Sequence, residues 1–342
     1  MSGIGCKKNL IIYSHGKNEM PTPIRIDPTI PRKYKFVEWM INDICNYDCI
    51  FCGDENKIGK RGRLDLATNK KIVDAIATAC DGFPFWIQVT GGEPTLYPNL
   101  IELLSYMKEK GATIWLMSNG SRTIKWWKTL KEANVLDVLY ITYHSQQNAD
   151  YRHIADIMNL FHDEPVSTIT AATYIQDTVD TMLEGCEYIH ENTGAWINVH
   201  GMDIPGGPGM QDIIDEEKYE KIKKYTFLPS KKKTTKKKLQ LPAGLEISAL
   251  VNVSYDDGTN ESHTANELVK NGKSKFFDWE CSIGLDTMRI EIDNIYRGSC
   301  RVDGKKFSID DIKFWEKTIR CPNQDCWCPQ DITTLKINTQ NT

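Results

Sequence analysis

The stretch KFVEWMINDICNYDCIFC, residues 35–52, joins an apolar, strand-like run to three closely spaced cysteines. Three residues separate Cys45 from Cys49, and two separate Cys49 from Cys52. A loop this short (residues 45–52, the cysteine loop) can wrap three irons of one 4Fe-4S cube, which normally takes four cysteines. The fourth iron then has no protein ligand within reach and is open to chemistry. The alternative is a zinc knuckle, because Cys-x-x-Cys spacing also serves tetrahedral zinc.

A second motif, Gly91-Gly92-Glu93-Pro94, follows the strand-like run PFWIQVT at residues 84–90. Two glycines let the backbone approach a ligand closely, and Pro94 suits the turn into a following helix. This motif alone is weak evidence. Because it and the cysteine loop each follow an apolar strand, in this order, the pair favours an iron-sulfur site over a zinc knuckle.

Both motifs lie within a regular alternation of strand-like and helical patterns. Six apolar runs begin at positions 35, 84, 112, 135, 166 and 195, and five amphipathic helical runs separate them. This alternation predicts an α/β fold in which the helices connect the strands of a parallel sheet.

The two motifs together resemble those of the radical S-adenosylmethionine (radical SAM) superfamily. Its CxxxCxxC motif matches the cysteine loop, with the aromatic Phe51 directly before the third cysteine, and its GGEP motif, which holds the methionine amino group of SAM, matches residues 91–94. The resemblance implies that SAM chelates the fourth iron through its amino and carboxylate groups. One electron from the reduced cluster then cleaves SAM to methionine and a 5′-deoxyadenosyl radical, which abstracts a substrate hydrogen. The resemblance also implies that the sheet curves into a partial (β/α)6 barrel.

Polar residues follow several of the predicted strands, where barrels of this kind bind their ligands. Ser118 and Asn119 lie where the superfamily approaches the SAM ribose, and Ser145 lies where it often has a polar SAM contact. The alternative for each is an ordinary turn or cap residue. His144 and His200 are candidates for proton transfer. A simple hydrogen-bonding role is commoner for a histidine, so no catalytic residue is assigned.

A second group of cysteines comprises Cys281, Cys300, Cys321, Cys326 and Cys328. The first two bracket MRIEIDNIYRGS, which predicts a β-hairpin. The arrangement resembles the Twitch or SPASM auxiliary-cluster domain of some radical SAM enzymes, and five cysteines suit the single cluster of the shorter Twitch form. This implies a second, auxiliary 4Fe-4S cluster, with one spare thiol among Cys321, Cys326 and Cys328. The alternative is a structural zinc hairpin.

Composition narrows the class of protein. Eleven cysteines among 342 residues are unusual for a cytosolic protein unless they bind metal. The sequence has neither an apolar run of the roughly 18 to 20 residues that span a membrane nor a signal peptide, so we expect a cytoplasmic protein. A net charge of -4 predicts no general attraction to nucleic acid. A lysine block at residues 231–238 can bind phosphates or an acidic peptide, but it lacks interleaved aromatic residues, and a solvated loop is the commoner role.

We therefore predict four segments: an extended arm (1–34), a radical SAM partial barrel (35–203), a linker with the lysine block and a hairpin around Asp257-Gly258 (204–274), and an auxiliary-cluster domain (275–335). The predicted function is reductive cleavage of SAM and hydrogen abstraction from a peptide or protein side chain. One alternative is oxidation or rearrangement of a small molecule or nucleotide, and another is a non-catalytic iron-sulfur or zinc-binding protein. The expected partners are the substrate and a one-electron reductant such as a flavodoxin or ferredoxin.

Overall fold

The computed structural model describes residues 21–29, 33–49, 52, 58–162, 167–173, 178–200, 216–223, 250–299, 301–326 and 328–340. Two of the predicted site residues, Phe51 and Cys300, lie outside these ranges, as does the lysine block.

The strands, in chain order, are β1 (Pro23–Pro28), β2 (Lys35–Met40), β3 (Asn42–Ile44), β4 (Ile58–Arg63), β5 (Phe85–Thr90), β6 (Thr113–Ser118), β7 (Val138–Tyr143), β8 (Ser167–Thr173), β9 (Trp196–His200), β10 (Leu250–Tyr255), β11 (Asn260–Thr264), β12 (Glu280–Cys281), β13 (Thr287–Ile290), β14 (Asn294–Arg297), β15 (Val302–Lys306), β16 (Ile319–Arg320) and β17 (Lys336–Ile337). The α-helices are α1 (Leu66–Cys80), α2 (Leu100–Glu109), α3 (Ile124–Ala133), α4 (Tyr151–Leu160), α5 (Val179–Thr193), α6 (Glu216–Lys223), α7 (Ala265–Lys270) and α8 (Pro329–Ile332).

Six consecutive parallel strands make up one end of a nine-stranded sheet, in the order β2-β5-β6-β7-β8-β9. One helix, from α1 to α5 in turn, lies between each consecutive pair along the chain. The predicted α/β alternation of six strands and five helices is therefore confirmed. The curvature of a partial barrel stays a prediction from the resemblance.

Local sequence explains where several helices begin. The Asp65 carboxylate accepts a hydrogen bond from the Thr68 amide at 2.7 Å and so caps the first turn of α1. Helix α7 begins with a reciprocal capping box, in which Thr264 and Glu267 each bond the other's backbone amide. These caps satisfy amides that have no partner inside the helix.

The two faces of the parallel sheet carry different side chains, as the two-residue period of a strand requires. On β2, Val37 and Trp39 are buried in the main core with the helices, whereas Phe36 belongs to a separate apolar layer on the opposite face. The buried members of this layer are Phe36, Trp86, Trp115, Val138 and Tyr140. Glu38 and Gln88 share that opposite face, two residues nearer the C-terminal ends of their strands. The face opposite the helices is thus apolar at one end and polar toward the other.

The predicted C-terminal hairpin is present as β13 and β14, but it belongs to the main sheet. Strand β13 runs parallel to β2, with Thr287 opposite Phe36 and Ile290 opposite Trp39. Strands β14 and β15 then extend the sheet in antiparallel fashion. The hairpin of the predicted auxiliary-cluster domain (275–335) thus pairs with the main sheet, and the bounds of that domain stay a prediction. The physical reason is the edge of β2, whose backbone groups need a pairing partner or a cover.

A second sheet has the order β11-β10-β1-β17-β12-β16. Strand β1 comes from the predicted arm, β10 and β11 from the predicted linker, and β12 and β16 from the predicted auxiliary segment, whereas β17 directly follows that segment. Strand pairing therefore crosses the predicted limits near residues 34, 274 and 335. Ile26 of β1 is fully buried with Val251 and Val253 of β10, which gives this sheet a core of its own. Strands β10 and β11 form the hairpin predicted around Asp257-Gly258. No helix within the described ranges is long and apolar enough to cross a bilayer.

Candidate functional site

The Gly91–Pro94 motif packs directly on β3, the strand that leads into the cysteine loop. A Cβ atom added to Gly91 would lie 2.4 Å from the Asn42 carbonyl oxygen, so only glycine fits there. The Gly92 amide donates to the same carbonyl at 2.8 Å, and the Glu93 amide donates to the Ile44 carbonyl at 2.7 Å. These backbone contacts fix the start of the cysteine loop against the motif, although the two lie about forty residues apart in sequence.

The Glu93 side chain is buried, with only 1% of its surface exposed. One carboxylate oxygen accepts hydrogen bonds from the Thr95 amide (3.0 Å), the Thr95 hydroxyl (2.6 Å) and the Ser118 hydroxyl (2.8 Å). The other accepts the Asn119 amide at 2.7 Å. Burial raises the pKa of Glu93, and these donors oppose that shift. The carboxylate therefore joins the Gly91–Pro94 motif to the end of β6, and the contact to the SAM amino group stays a prediction.

Ser118 and Asn119, both predicted to approach the SAM ribose, take different positions. The Ser118 hydroxyl is buried and its proton is directed at Glu93. The Asn119 side-chain amide donates to the Asn46 side chain at 3.0 Å and lies 4.0 Å from the Cys45 Sγ. Asn119 thus lies beside the cysteine loop, whereas Ser118 supports Glu93.

The end of β7 brings His144 and Gln146 to the Cys49 sulfur. His144 Nδ1 lies 3.5 Å from Cys49 Sγ, and Gln146 Nε2 lies 3.9 Å from the same sulfur and 3.1 Å from His144 Nδ1. A proton assigned to Nδ1 donates to the sulfur, and one assigned to Nε2 leaves Nδ1 to accept from Gln146. Burial lowers the pKa of His144 to about 4, so the ring is neutral at pH 7. This position suits hydrogen bonding at the thiolate better than proton transfer. The side chain of His200 lies outside the described part of the chain.

Ser145 supplies a buried hydroxyl that makes no hydrogen bond within the described residues, and its side chain is almost fully enclosed. The Gln146 side-chain oxygen is in the same condition. A buried polar group without a partner costs about 1–3 kcal/mol. A bound ligand at the cysteine loop would supply the missing partners, so these residues fit a polar cofactor such as SAM.

The cysteine loop itself is partly open. Cys49 is buried, whereas Cys45 and Cys52 are half-buried. The Tyr47 amide donates to Cys45 Sγ at 3.4 Å, and the Cys52 amide donates to the Cys49 carbonyl at 3.1 Å. Burial raises the pKa of Cys45 and the Tyr47 amide opposes this, so metal binding here displaces thiol protons.

Among the described residues, no three His, Cys, Asp or Glu side chains lie close enough together to hold a single metal ion. Each thiolate of a 4Fe-4S cube binds its own iron, so the cube does not require such convergence. The nine described cysteines also form no disulfide with one another.

Three C-terminal cysteines lie together in the core of the second sheet. Cys281, Cys321 and Cys326 belong to one buried cluster, and each of the three interacts electrostatically with the others. Cys328 instead acts on Arg289 of β13. Cys281 and the predicted hairpin lie in different sheets, because Cys281 belongs to β12 of the second sheet and the hairpin belongs to the nine-stranded sheet. Which of Cys321, Cys326 and Cys328 is the spare thiol stays open.

The model of the Radical SAM superfamily matches residues 39–217, just over half of the chain. This protein belongs to the radical SAM superfamily. The matched region contains the cysteine loop, the Gly91–Pro94 motif, the last two residues of β2 and the other five parallel strands, β5 to β9. Members of the superfamily are enzymes that use a 4Fe-4S cluster and SAM.

Similarity to individual proteins covers shorter stretches. A "Probable GTP 3',8-cyclase" of Pyrobaculum aerophilum is 27% identical over 126 residues, which cover 37% of this chain and 40% of that protein. The subtilosin biosynthesis protein AlbA of Bacillus subtilis is 23% identical over 145 residues, 41% of this chain and 29% of AlbA. This chain thus spans less than half the length of either relative. Among solved structures, Streptococcus suis SuiB bound to the precursor peptide SuiA has a TM-score of 0.49 and 12% identity, over 82% of this chain and 63% of that one.

The sequence did not predict two residues that lie at the site. Asn42 holds Gly92 through its carbonyl, and Gln146 reaches Cys49, but neither belongs to a recognisable motif. The role of Gln146 could have been predicted, because this residue directly follows Ser145 at the end of a strand.

Proposed function

We propose that the protein reductively cleaves SAM and uses the resulting radical to abstract hydrogen from a peptide or protein side chain. The observation that carries this proposal is the convergence of three strand ends on the cysteine loop. The Gly91–Pro94 motif, the end of β6 and the end of β7 all place polar groups beside its cysteines.

Cys45, Cys49 and Cys52 would hold three irons of the cluster, and Ser145 and Asn119 would contact SAM. When bound, the cluster and SAM supply a 5′-deoxyadenosyl radical. The chain's own residues position the reactants and adjust the cluster thiolates. His144 and Gln146 place polar nitrogens near Cys49, and hydrogen bonds to cluster sulfurs help set the reduction potential. The electron donor would be a small one-electron carrier such as a flavodoxin or ferredoxin.

The face of the sheet opposite the helices carries polar side chains toward the C-terminal ends of its strands, where a substrate would bind. Glu38 and Gln88 lie on that face beyond the apolar layer, and Arg289 of β13 lies directly opposite Glu38, with its guanidinium 2.5 Å from the Glu38 carboxylate. The apolar layer would keep water away from the N-terminal part of this face, which would protect a reactive radical from side reactions. Such a face suits a substrate with hydrogen-bonding groups, as a peptide backbone has.

A second 4Fe-4S cluster would be held by Cys281, Cys321 and Cys326, with Cys300 as the expected fourth ligand. The support is the shared buried position of the first three thiols. The peptide assignment has further support from β11, which among the described strands pairs with β10 alone, at one end of the second sheet. An exposed edge can add an extended peptide as a further strand, and the lysine block could attract an acidic segment of it.

The test is anaerobic reconstitution of the full chain, reduction with dithionite and measurement of 5′-deoxyadenosine. The intact protein should cleave SAM, and the Cys45→Ala/Cys49→Ala/Cys52→Ala variant should not. Equal cleavage by both would contradict the assignment of the radical cluster. Cys80→Ala is the matched control, because Cys80 is buried in α1 away from the loop.

The second candidate is radical chemistry on a nucleotide or another small molecule, favoured by the similarity to the Pyrobaculum cyclase. Deuterium transfer separates the two candidates. A deuterated peptide should label 5′-deoxyadenosine if the peptide assignment is right. Label arriving only from a deuterated nucleotide would establish the alternative instead.

A further inference from the structure

Lys336 of β17 is a buried cation. Only 1% of its surface is exposed. Its ammonium donates to the Asp331 carbonyl, to the Ile332 carbonyl at 3.2 Å and to the Thr334 hydroxyl at 2.9 Å. The ring of Phe276 lies 5.2 Å away. All of these partners are neutral dipoles.

A buried ammonium is costly unless an anion lies near it, and lysine is almost never fully buried without a partner. Within the described part of the chain, no carboxylate oxygen lies within ion-pair distance of the Lys336 ammonium. Asp331 is the nearest acidic residue in sequence, and its carboxylate accepts from the Ser299 amide at 3.3 Å. No carboxylate among the described residues therefore balances the positive charge of Lys336, and a different anion nearby would stabilise it.

Buried thiols lie near this ammonium. Lys336 lies directly opposite Cys281 on the neighbouring antiparallel strand. The Thr334 hydroxyl connects them, since it accepts from Lys336 and lies 3.7 Å from Cys281 Sγ. The charge of Lys336 also acts on Cys321 and Cys326.

Thiolates bound to a metal would supply the anions that the buried Lys336 ammonium lacks within the described part of the chain.

We propose that Lys336 is the built-in counter-charge of a metal centre formed by Cys281, Cys321 and Cys326. This rests on the auxiliary cluster of the proposed function. A 4Fe-4S centre with four thiolates gains one negative charge when it takes an electron from an external reductant. A fixed ammonium beside it favours the reduced state and so raises the reduction potential of this cluster.

The test uses the full chain with Cys45, Cys49 and Cys52 changed to alanine, so that only the C-terminal cluster contributes to a redox titration followed by electron paramagnetic resonance. Lys336→Met should make reduction at least about tenfold less favourable, a shift of about 59 mV to more negative potential for one electron. Lys35→Met is the matched control, because the Lys35 ammonium also donates to a carbonyl, at 2.6 Å, and lies over aromatic rings. An unchanged potential in folded, iron-loaded Lys336→Met protein would overturn the proposal.

Two further measurements keep the outcome decisive. If the Met variant does not fold, Lys336→Gln removes the charge but retains a hydrogen-bond donor, and it should shift the potential in the same direction. If the parent protein takes up no 4Fe-4S cluster, the auxiliary-cluster proposal fails, and zinc ion then becomes the probe. Lys336→Met should weaken zinc binding about tenfold relative to Lys35→Met, because it removes the counter-charge of the thiolates. Equal zinc affinities would overturn the role of Lys336.

Discussion

The backbone of Gly91 passes so close to Asn42 that a single added carbon decides whether the Gly91–Pro94 motif can pack on β3. We expect Gly91→Ala to separate the two segments, to lower the free energy of unfolding and to abolish SAM binding. Gly82→Ala is the control, because Gly82 also has a positive φ, +78°, but faces open space. The control should lose about 1–2 kcal/mol from backbone strain. Gly91→Ala should lose about 1–3 kcal/mol more from the clash.

Denaturant unfolding and equilibrium binding of SAM to the iron-loaded protein measure these effects. Equal losses of stability in the two variants, with SAM binding retained in both, would show that the close approach of Gly91 to Asn42 is not required.

Both oxygens of the buried Glu93 carboxylate act only as hydrogen-bond acceptors. Replacing the carboxylate by an amide should therefore lower the stability of the protein. Glu93→Gln puts an N–H group where an acceptor is needed, facing either the Asn119 amide or the Thr95 and Ser118 donors. We expect a loss of about 1–3 kcal/mol in the free energy of unfolding. We also expect at least about a tenfold loss in the rate of 5′-deoxyadenosine formation.

Glu102→Gln is the matched control for Glu93→Gln. The Glu102 side chain is 58% exposed and its partner is the surface residue Lys70. Its replacement should change stability by less than about 1 kcal/mol. A Glu93→Gln protein as stable and active as this control would show that the link between the Gly91–Pro94 motif and β6 is unimportant.

At the scale of elements, the attachment of the hairpin β13–β14 to β2 depends on a buried charge network. Arg289 lies 2.5 Å from Glu38 and 2.8 Å from Glu291, and the side chains of Arg289 and Glu38 are only 12% and 15% exposed. Arg289→Met leaves these carboxylates without that cation. We expect a loss of about 3 kcal/mol, at the low end for a broken buried pair because the site is not fully enclosed.

Thermal and denaturant unfolding test this prediction for Arg289→Met, with Lys70→Met as the control that breaks an exposed pair. The control should lose less than about 1 kcal/mol. Limited proteolysis should also cut Arg289→Met protein first between β12 and β14, because the hairpin loses part of its attachment. Identical stability and cleavage patterns would mean that backbone pairing alone holds β13.

At the scale of the whole molecule, the two groups of cysteines predict the metal content. The anaerobically reconstituted chain should carry about eight irons, as two 4Fe-4S clusters require. Changing Cys45, Cys49 and Cys52 to alanine should leave about four. Cys80→Ala and Cys186→Ala should lose none, because both residues are buried in helices among apolar side chains.

Iron and zinc analysis of the same samples distinguishes the alternatives. A chain with about four irons and one zinc would replace the auxiliary cluster by a structural zinc site. Loss of all metal on changing the first three cysteines would contradict a second centre altogether.

The sequence alone determined the order of the six parallel strands and five helices, and it located the cysteine loop and the Gly91–Pro94 motif at strand ends. These features depend on apolar periodicity and on spacing between nearby residues, which a single sequence displays directly. The site was also predictable as far as its cysteines, because thiolate ligands of one loop must lie close together in the chain.

Only the tertiary structure decided which strands share a sheet and what each polar side chain contacts. Strand β1 pairs with β10, and β13 pairs with β2, across more than two hundred residues. The same folding turns Ser118 toward Glu93 and sets Lys336 opposite Cys281. Such contacts depend on the packing of segments far apart in the chain. Local patterns do not encode that packing, which is why an ordinary-looking lysine near the end of the sequence gave no sign of its place beside three thiols.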